Sequence, residues 1–182
     1  MILVLKEFDG IIGAIAGGVI GTVSTLIATQ LLKRMGKLNL FIKKWEIRRP
    51  QLDGYGGTSM VNATSCNEAY YHITFNMETY NGSEIPKIMR DVKIAFYKDK
   101  KELFKIVPCD RDNDKVIAGG FRDSQEVNVL NFEPKKCTTK DFSFRIDDID
   151  MLDNLKEVNK IYFIHTNENK KVKKLFIRKQ VI

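Results

Sequence analysis

The sequence predicts a mainly β protein, a β-sandwich of about eight strands with one short helix, preceded by a single transmembrane α-helix. An uncharged apolar stretch over residues 10–32 has the roughly 20 residues that a helix needs to cross a bilayer. Beyond it, apolar and polar residues alternate in one short segment after another, which is the pattern of half-buried strands. We therefore divide the chain into a short N-terminal flank (1–9), the transmembrane helix (10–32), a basic juxtamembrane link (33–37) and the sandwich domain (38–182).

The transmembrane prediction rests on length and absence of charge. Residues 11–32 hold no charged side chain, whereas charged residues stand on both sides of them. A cleaved signal peptide would have a shorter apolar region and a cleavage site of small residues, and the residues after Ala28 do not supply one. A buried core helix would be shorter and would carry a polar stripe.

The charges beside the span predict its orientation. Basic residues accumulate directly after it: Lys33, Arg34, Lys37, Lys43 and Lys44. An excess of Lys and Arg marks the cytoplasmic side, and such residues bind the anionic inner leaflet. We therefore expect a single-pass protein of the cell membrane, with its N-terminus outside and its sandwich in the cytoplasm. The three cysteines, odd in number and scattered, agree with a domain that is not secreted.

Small residues recur every fourth position along the span. Gly13, Gly17 and Gly21 share one helix face, and Thr25 continues it. Such faces let helices pack closely in lipid, so we expect a homo-oligomer. Hydroxyl groups in the second half of the span leave a small pore as an alternative. Because the span has no ionisable group at its middle, which is the usual mark of an ion pathway, a passive anchor is favoured.

Eight segments with strand alternation follow the link. They cover residues 38–43, 71–78, 92–96, 102–107, 125–132, 138–146, 160–166 and 172–178. Asn81-Gly82 and residues 167–169 supply turns, and residues 148–158 have the pattern of a short helix. The longest irregular stretches are 48–67 and 108–123. This number of short strands with regular turns is typical of the immunoglobulin-like sandwich.

The charge balance is basic. The chain has a formal net charge of +7, and removing residues 1–32 takes away one basic and two acidic residues, which leaves 29 Lys and Arg against 21 Asp and Glu. Phe41 and Trp45 alternate with Lys43, and aromatic residues beside lysines on one exposed face would suit nucleic acid. We favour the lipid bilayer and a protein partner over nucleic acid, because the basic residues at positions 33–44 lie just after the span.

Two segments resemble a known group of proteins. Residues 81–97 and 131–136 are similar to segments of small uncharacterised single-pass membrane proteins of Gram-positive bacteria and their mobile elements. The first of these segments opens with Asn81-Gly82-Ser83-Glu84-Ile85-Pro86. The resemblance implies one N-terminal span followed by a β-sandwich. It implies no activity and assigns a role to no residue.

No group of residues predicts catalysis or metal binding. An Asp-x-Asp-x-Asp run from Asp110 starts like a calcium loop but lacks the glycine and the closing glutamate that such a loop uses. His72 and His165 have no further ligand at zinc spacing. Ser65 and Cys66 have no neighbouring base that would activate a nucleophile. We expect no cofactor, no metal and no catalytic residue.

Two functions follow from this reading. The first is a membrane-anchored, non-enzymatic binding module that recruits a partner and associates with itself through the glycine face. The alternative is an oligomeric, membrane-permeabilising effector, for example of a bacterial defence or toxin system, which is an analogy of architecture only. An enzyme is excluded for want of a catalytic constellation.

Overall fold

The computed structural model describes residues 2–52, 54, 57–64, 68–116 and 122–179, and the described side chains of the first helix begin at Gly18. Helix α1 covers Ile2–Arg34, a 3-10 helix covers Arg111–Asn113, and helix α2 covers Ile149–Leu155. The strands are β1 (Leu38–Leu52), β2 (Thr58–Asn62), β3 (Tyr71–Asn81), β4 (Lys87–Lys98), β5 (Lys101–Ile106), β6 (Cys109–Asp110), β7 (Lys115–Val116), β8 (Arg122–Asp123), β9 (Val129–Phe132), β10 (Cys137–Ile146), β11 (Lys160–Asn167) and β12 (Val172–Arg178).

The strands form two antiparallel sheets. The first sheet has the order β2-β1-β3-β10-β6, and the second has the order β12-β11-β4-β5, with β9 also paired to β4. Within the described part of the chain, strands β7 and β8 pair only with each other. The eight predicted strands correspond to β1, β3, β4, β5, β9, β10, β11 and β12. The four additional short strands all lie in the two stretches that were predicted to be irregular.

Aromatic side chains fill the space between the sheets. In the first sheet Phe75 packs between Trp45, with ring centroids 5.4 Å apart, and Phe142, at 5.1 Å. Phe96 of the second sheet meets Phe144 of the first edge-to-face at 6.1 Å. Because aromatic rings bury large apolar areas and favour such geometries, the cluster of the first sheet stabilises the core, and the contact between Phe96 and Phe144 joins the two sheets.

Helix α1 is longer than the predicted span, extending beyond it at both ends. Its last turn holds Lys33 and Arg34, where basic residues complement the helix dipole. The hydroxyl groups of Thr22, Thr25 and Thr29 each donate to the carbonyl four residues earlier at 2.8 Å, so their polar atoms are satisfied within the helix.

In the part of the chain that the structure describes, no helix meets the length and hydropathy required of a membrane span.

Two local predictions are wrong. A bulge in β1 follows Lys43, with Lys44 at a φ of 47°, and the extra residue reverses the alternation. Trp45 therefore packs against the core while Phe41 is exposed, so the two aromatics do not share a face. Helix α2 lies within the predicted stretch 148–158, but the predicted bounds are wrong because it has only seven residues, and its first residue, Ile149, is exposed.

Candidate functional site

A groove opens on one side of the sandwich, next to the end of α1. It has a volume of about 570 Å³ and is lined by residues 36–41 of the link and β1, by the start of β4, and by the ends of β11 and β12 that meet at their turn. Such a volume lies within the range of ligand sites in proteins. The groove therefore lies between the two sheets, where β1 of one faces β12 of the other.

One wall of the groove is apolar and the other is basic. Leu38 and Leu40 are the half-buried positions at the start of β1, which alternate with exposed ones. Across from them, His165 and Lys173 are cross-strand partners in β11 and β12, and paired residues share a face of the sheet. Lys87, at the start of β4, completes the basic wall.

His165 is the most unusual side chain in the groove. It is only 6% exposed, and its Nδ1 atom is buried with no hydrogen-bond partner among the described residues. Burial lowers the pKa of this imidazole, the nearby Lys173 lowers it further, and Glu168 opposes the change. A buried polar atom without a partner is costly, so His165 is a strained polar group in the wall of the groove.

A bulge in β4 lies opposite His165. Ile164 pairs with Lys93 but Thr166 pairs with Arg90, so β4 has one residue more than β11 over this interval. Asp91, inside the bulge, has a φ of 51°. Bulges often redirect side chains near functional sites, and here the irregular pairing coincides with the groove.

Lys87 is almost fully buried, at 7% exposed, and is paired. Its Nζ lies 2.7 Å from Oε1 of Glu168. Burial raises the pKa of Glu168, but the hydrogen bond from Lys87, a backbone hydrogen bond and the positive charge of Lys87 together outweigh burial, and the net pKa is below the ordinary value. A salt bridge with one buried partner leaves a strongly unfavourable charge if the other partner is removed. The carboxylate of Glu168 is thus committed to Lys87.

The side chain of Asn167 stabilises the hairpin that holds Glu168. Asn167 Oδ1 accepts from the backbone N–H of Asn169 at 3.1 Å and of Lys171 at 2.9 Å. Lys170 has a φ of 58° and closes the turn. The predicted hairpin at residues 167–169 is present, and its asparagine side chain replaces backbone partners as turn asparagines commonly do.

The groove borders the junction between α1 and the sandwich. The backbone N–H of Glu84 donates to the carbonyl of Lys33 at 3.1 Å, and that of Gly82 donates to the carbonyl of Lys37 at 3.0 Å. A Cβ placed on Gly36 would collide with the Ser83 backbone. Glycine is therefore required at residue 36 by the close approach of two backbones.

The loop on the other side of this junction is held by Asn81. Its side chain is fully buried, and Nδ2 donates to the carbonyls of Ile85 at 2.9 Å and Phe132 at 3.1 Å. Its Oδ1 accepts from the backbone N–H of Ser83 at 3.0 Å and from the Ser83 hydroxyl at 2.6 Å. Asn81 does more than favour a turn, because its side chain supplies hydrogen-bond partners for buried backbone groups of the loop that contacts the end of α1.

The basic residues predicted at the membrane surface do not form one cluster. Lys37 lines the groove, whereas Lys43 forms an ion pair with Glu78 on the neighbouring strand. Lys44 lies in the β1 bulge. Lys33 and Arg34 are in the last turn of α1. Only Lys37 of these five belongs to the groove.

Part of the predicted packing face of the helix lies outside the described side chains, namely Gly13 and Gly17. At Gly21 a Cβ would have no neighbour within 4 Å, and the hydroxyl of Thr25 donates to the Gly21 carbonyl at 2.8 Å. Self-association through this face stays a prediction.

The acidic run at Asp110 is occupied by protein groups. Asp110 caps the 3-10 helix by accepting from the N–H of Asp112 at 3.0 Å, and accepts from Asn113 Nδ2 at 2.8 Å. Lys140 Nζ lies 3.2 Å from Asp110 and 3.3 Å from Asp112. Burial lowers the pKa of Lys140, but these two carboxylates raise it above the ordinary value. Across the described residues no group of three potential ligands could hold a metal ion.

Sequence reasoning missed the groove residues His165, Lys87, Glu168 and Lys173. One signal was present: His165 follows Ile161 and Phe163 at two-residue spacing, which places its side chain on the buried face of a strand. A histidine on the buried face near the end of a strand indicates a polar group inside the sandwich, and this was the sequence signal for the groove.

Two packed antiparallel sheets with an aromatic core define the class of protein as an immunoglobulin-like β-sandwich. The chain belongs to the family described as the YopI Ig-like domain, whose model matches residues 36–178. It is 28% identical over 188 residues to the SPbeta prophage-derived uncharacterized protein YopI of Bacillus subtilis (strain 168), a match that covers 96% of this chain and 95% of that protein. The resemblance to a bacterial and mobile-element group is confirmed to this extent.

A solved structure gives a weaker likeness. The crystal structure of a protein from Archaeoglobus fulgidus matches at 10% identity with a TM-score of 0.38, over 78% of this chain and 91% of that chain. This similarity is too low to support an inference.

Proposed function

We propose that this protein is a non-enzymatic binding module, an immunoglobulin-like sandwich that helix α1 holds at a membrane and whose groove receives a partner. The observation that carries the proposal is the groove itself, which combines inward-facing lysines with a buried, unpartnered imidazole nitrogen directly beside the end of α1. A concave surface with a few convergent polar groups is the usual form of a binding site.

The case for membrane attachment comes from the surface of α1. Residues 10–32 carry no charge, and the described apolar side chains of this stretch are exposed rather than packed against the sandwich: Val19, Ile20, Val23, Leu26, Ile27, Leu31 and Leu32. A helix that is apolar all round is stable when it is buried in protein or in lipid. Since the domain does not cover these side chains, a bilayer is the environment that would.

Orientation is proposed from the same flank. Lys33 and Arg34 end α1 and Lys37 follows in the link. Basic residues next to a span are retained on the cytoplasmic side, so the sandwich would face the cytoplasm. The groove would then open close to the inner leaflet, because Gly36 and Lys37 both line it.

Binding rather than catalysis is favoured by the chemistry of the groove. None of the described residues that line it is a serine, threonine or cysteine, and covalent catalysis needs a nucleophile next to a base. The carboxylate of Glu168 is already paired with Lys87. The remaining groups, a buried imidazole and lysines, suit recognition of an anion.

The pore-forming effector is the second candidate, and one observation favours it. At Gly18 and Gly21 a Cβ would have no neighbour within 4 Å among the described atoms outside the helix's own backbone, so a second helix could approach there. Against a conducting pore, the threonine hydroxyls donate within their own helix. We therefore propose self-association as a property of the anchor and not as the function.

The test of membrane topology uses the full chain. A reporter fused after Ile182 should be active only in the cytoplasm, and a cysteine placed near Met1 should be labelled from outside the cell. Labelling of an engineered cysteine in the sandwich from outside would contradict the proposal. Dye leakage or growth arrest on overexpression, absent in a version without residues 1–32, would instead support the pore-forming effector.

A further inference from the structure

We propose that the groove binds an extended, acidic segment of a protein partner, which adds as a strand to the free edge of β1. This inference rests on the proposed function, since it names the partner of the same groove. It is argued from three features of the described residues, namely a free strand edge, an uncompensated basic wall and the alternation of the lining side chains.

The first feature is the edge of β1. Strand β2 pairs with β1 only over Arg48–Leu52, and β3 pairs with its opposite side from Leu38 onward. Among the described strands, none pairs with the outer edge of residues 38–43. An open edge is a template for an added strand, and peptide recognition commonly uses one.

The second free edge at the groove is less suited to pairing. Among the described strands, β12 pairs only with β11, but its first half carries Lys173 and Lys174, and Lys170 and Lys171 precede it. Lysines on an edge strand discourage the addition of another strand. Residues 38–42 of β1 carry no charge, so β1 is the edge that an incoming strand would meet.

The second feature is the sign of the charge inside the groove. Glu168 neutralises Lys87 at 2.7 Å. In the part of the chain that the structure describes, no ion pair involves Lys37 or Lys173. An acidic side chain would be complementary to this wall, where Lys173 lies beside His165.

The side chains predict the pattern of the segment. Successive side chains of a strand point to opposite faces, so every second residue of the added strand would enter the groove. An acidic residue would face Lys173 and His165, and an apolar residue two positions away would pack near Leu40 and Met89. The partner segment is therefore extended, with acidic and apolar residues at alternate inward positions.

A direct test uses a labelled peptide with the sequence Ser-Asp-Ser-Val-Ser-Asp-Ser-Val and the full-length protein in detergent. Fluorescence anisotropy should show binding that saturates. The same peptide with lysine in place of aspartate should not bind. Backbone amides of residues 38–43 should become protected from hydrogen exchange when the aspartate peptide is bound, because they would then donate to the added strand.

The matched variants are Lys173→Gln and Lys171→Gln, two residues apart in the chain. Lys171 is exposed on the turn before β12 and is not one of the residues that line the groove. We expect Lys173→Gln to weaken peptide binding about tenfold or more and Lys171→Gln to change it less than about twofold. Circular dichroism of both variants would show that each is folded.

Two results would overturn the inference. One is the absence of binding by the aspartate peptide, or equal binding to wild type and Lys173→Gln. The other is binding of oleate that depends on Lys173 while the peptide does not bind, which would make the ligand an anionic amphiphile. Neither result bears on membrane attachment, which the topology experiment decides separately.

Discussion

Replacing Asn81 with alanine should destabilise the sandwich strongly, because this residue satisfies a buried loop. The change removes the acceptor of the Ser83 N–H and the side-chain donor to the Phe132 carbonyl, whereas the Ile85 carbonyl keeps the Ser83 hydroxyl at 2.6 Å. A buried polar group left without its partner costs about 1–3 kcal/mol. We therefore expect the free energy of unfolding to fall by about 2–6 kcal/mol, against about 5–15 kcal/mol for an ordinary domain.

The assay is urea unfolding of residues 37–182, followed by the fluorescence of Trp45. This is the only tryptophan of the chain, and its ring stacks on Phe75 at 5.4 Å. Asn131→Ala is the matched control, because Asn131 is exposed on β9 and surface substitutions usually change stability by less than about 0.5 kcal/mol. Equal unfolding midpoints for the two variants would refute the reasoning.

Three further outcomes are expected. Burial and nearby arginines hold the pKa of His72 below 6.5, and burial and Lys173 do the same for the pKa of His165. Because the unfolded chain binds these two protons more readily than the folded protein does, the free energy of unfolding should fall as the pH drops below 6.5. A double His→Gln variant with the same pH dependence would disprove this. The fragment 37–182 should be soluble and β-rich, and Phe75→Asp should unfold it because a buried unpaired charge costs several kcal/mol; a strongly helical circular dichroism spectrum of the fragment would contradict this. Gly17→Ile should abolish a detergent-stable oligomer and Gly17→Ala should weaken it less, whereas unchanged crosslinking in Gly17→Ile would show that this glycine face does not mediate association.

The strands were predictable because alternation is a local property. In β3 every second residue from Tyr71 to Met77 is buried, as the spacing of apolar residues requires. The prediction failed where the backbone departs from regular pairing. Residues 41 and 45 would share a face in an uninterrupted strand, but the bulge after Lys43 adds a residue and turns Trp45 inward. Nothing in the local pattern of charges and aromatics marks that bulge.

The groove was not predictable because it depends on how two distant parts of the chain come together. Leu38 and Lys173 belong to different sheets, and their proximity depends on the stacking of those sheets. The sequence showed that His165 is in the buried phase of its strand, but not that Nδ1 would lack a partner. For the same reason the sequence does not show that Lys173 and Lys174, which are adjacent in the chain, point to opposite faces of β12.

The junction between α1 and the sandwich gives its basic residues two different roles, one at the membrane and one in the groove. Lys33 and Arg34 end the helix, and the carbonyl of Lys33 is fixed by the Glu84 N–H. Lys37 comes after Gly36, where the chain passes against Ser83, and it lines the groove. If lipid headgroups contact the helix end, neutralising Lys33 and Arg34 should disturb the orientation of α1, measured with the reporter fused after Ile182, without changing peptide affinity. Neutralising Lys37 should weaken peptide binding without disturbing the orientation of α1, because Lys37 lines the groove. The close backbone contact at Gly36 holds the groove in one position relative to the helix end.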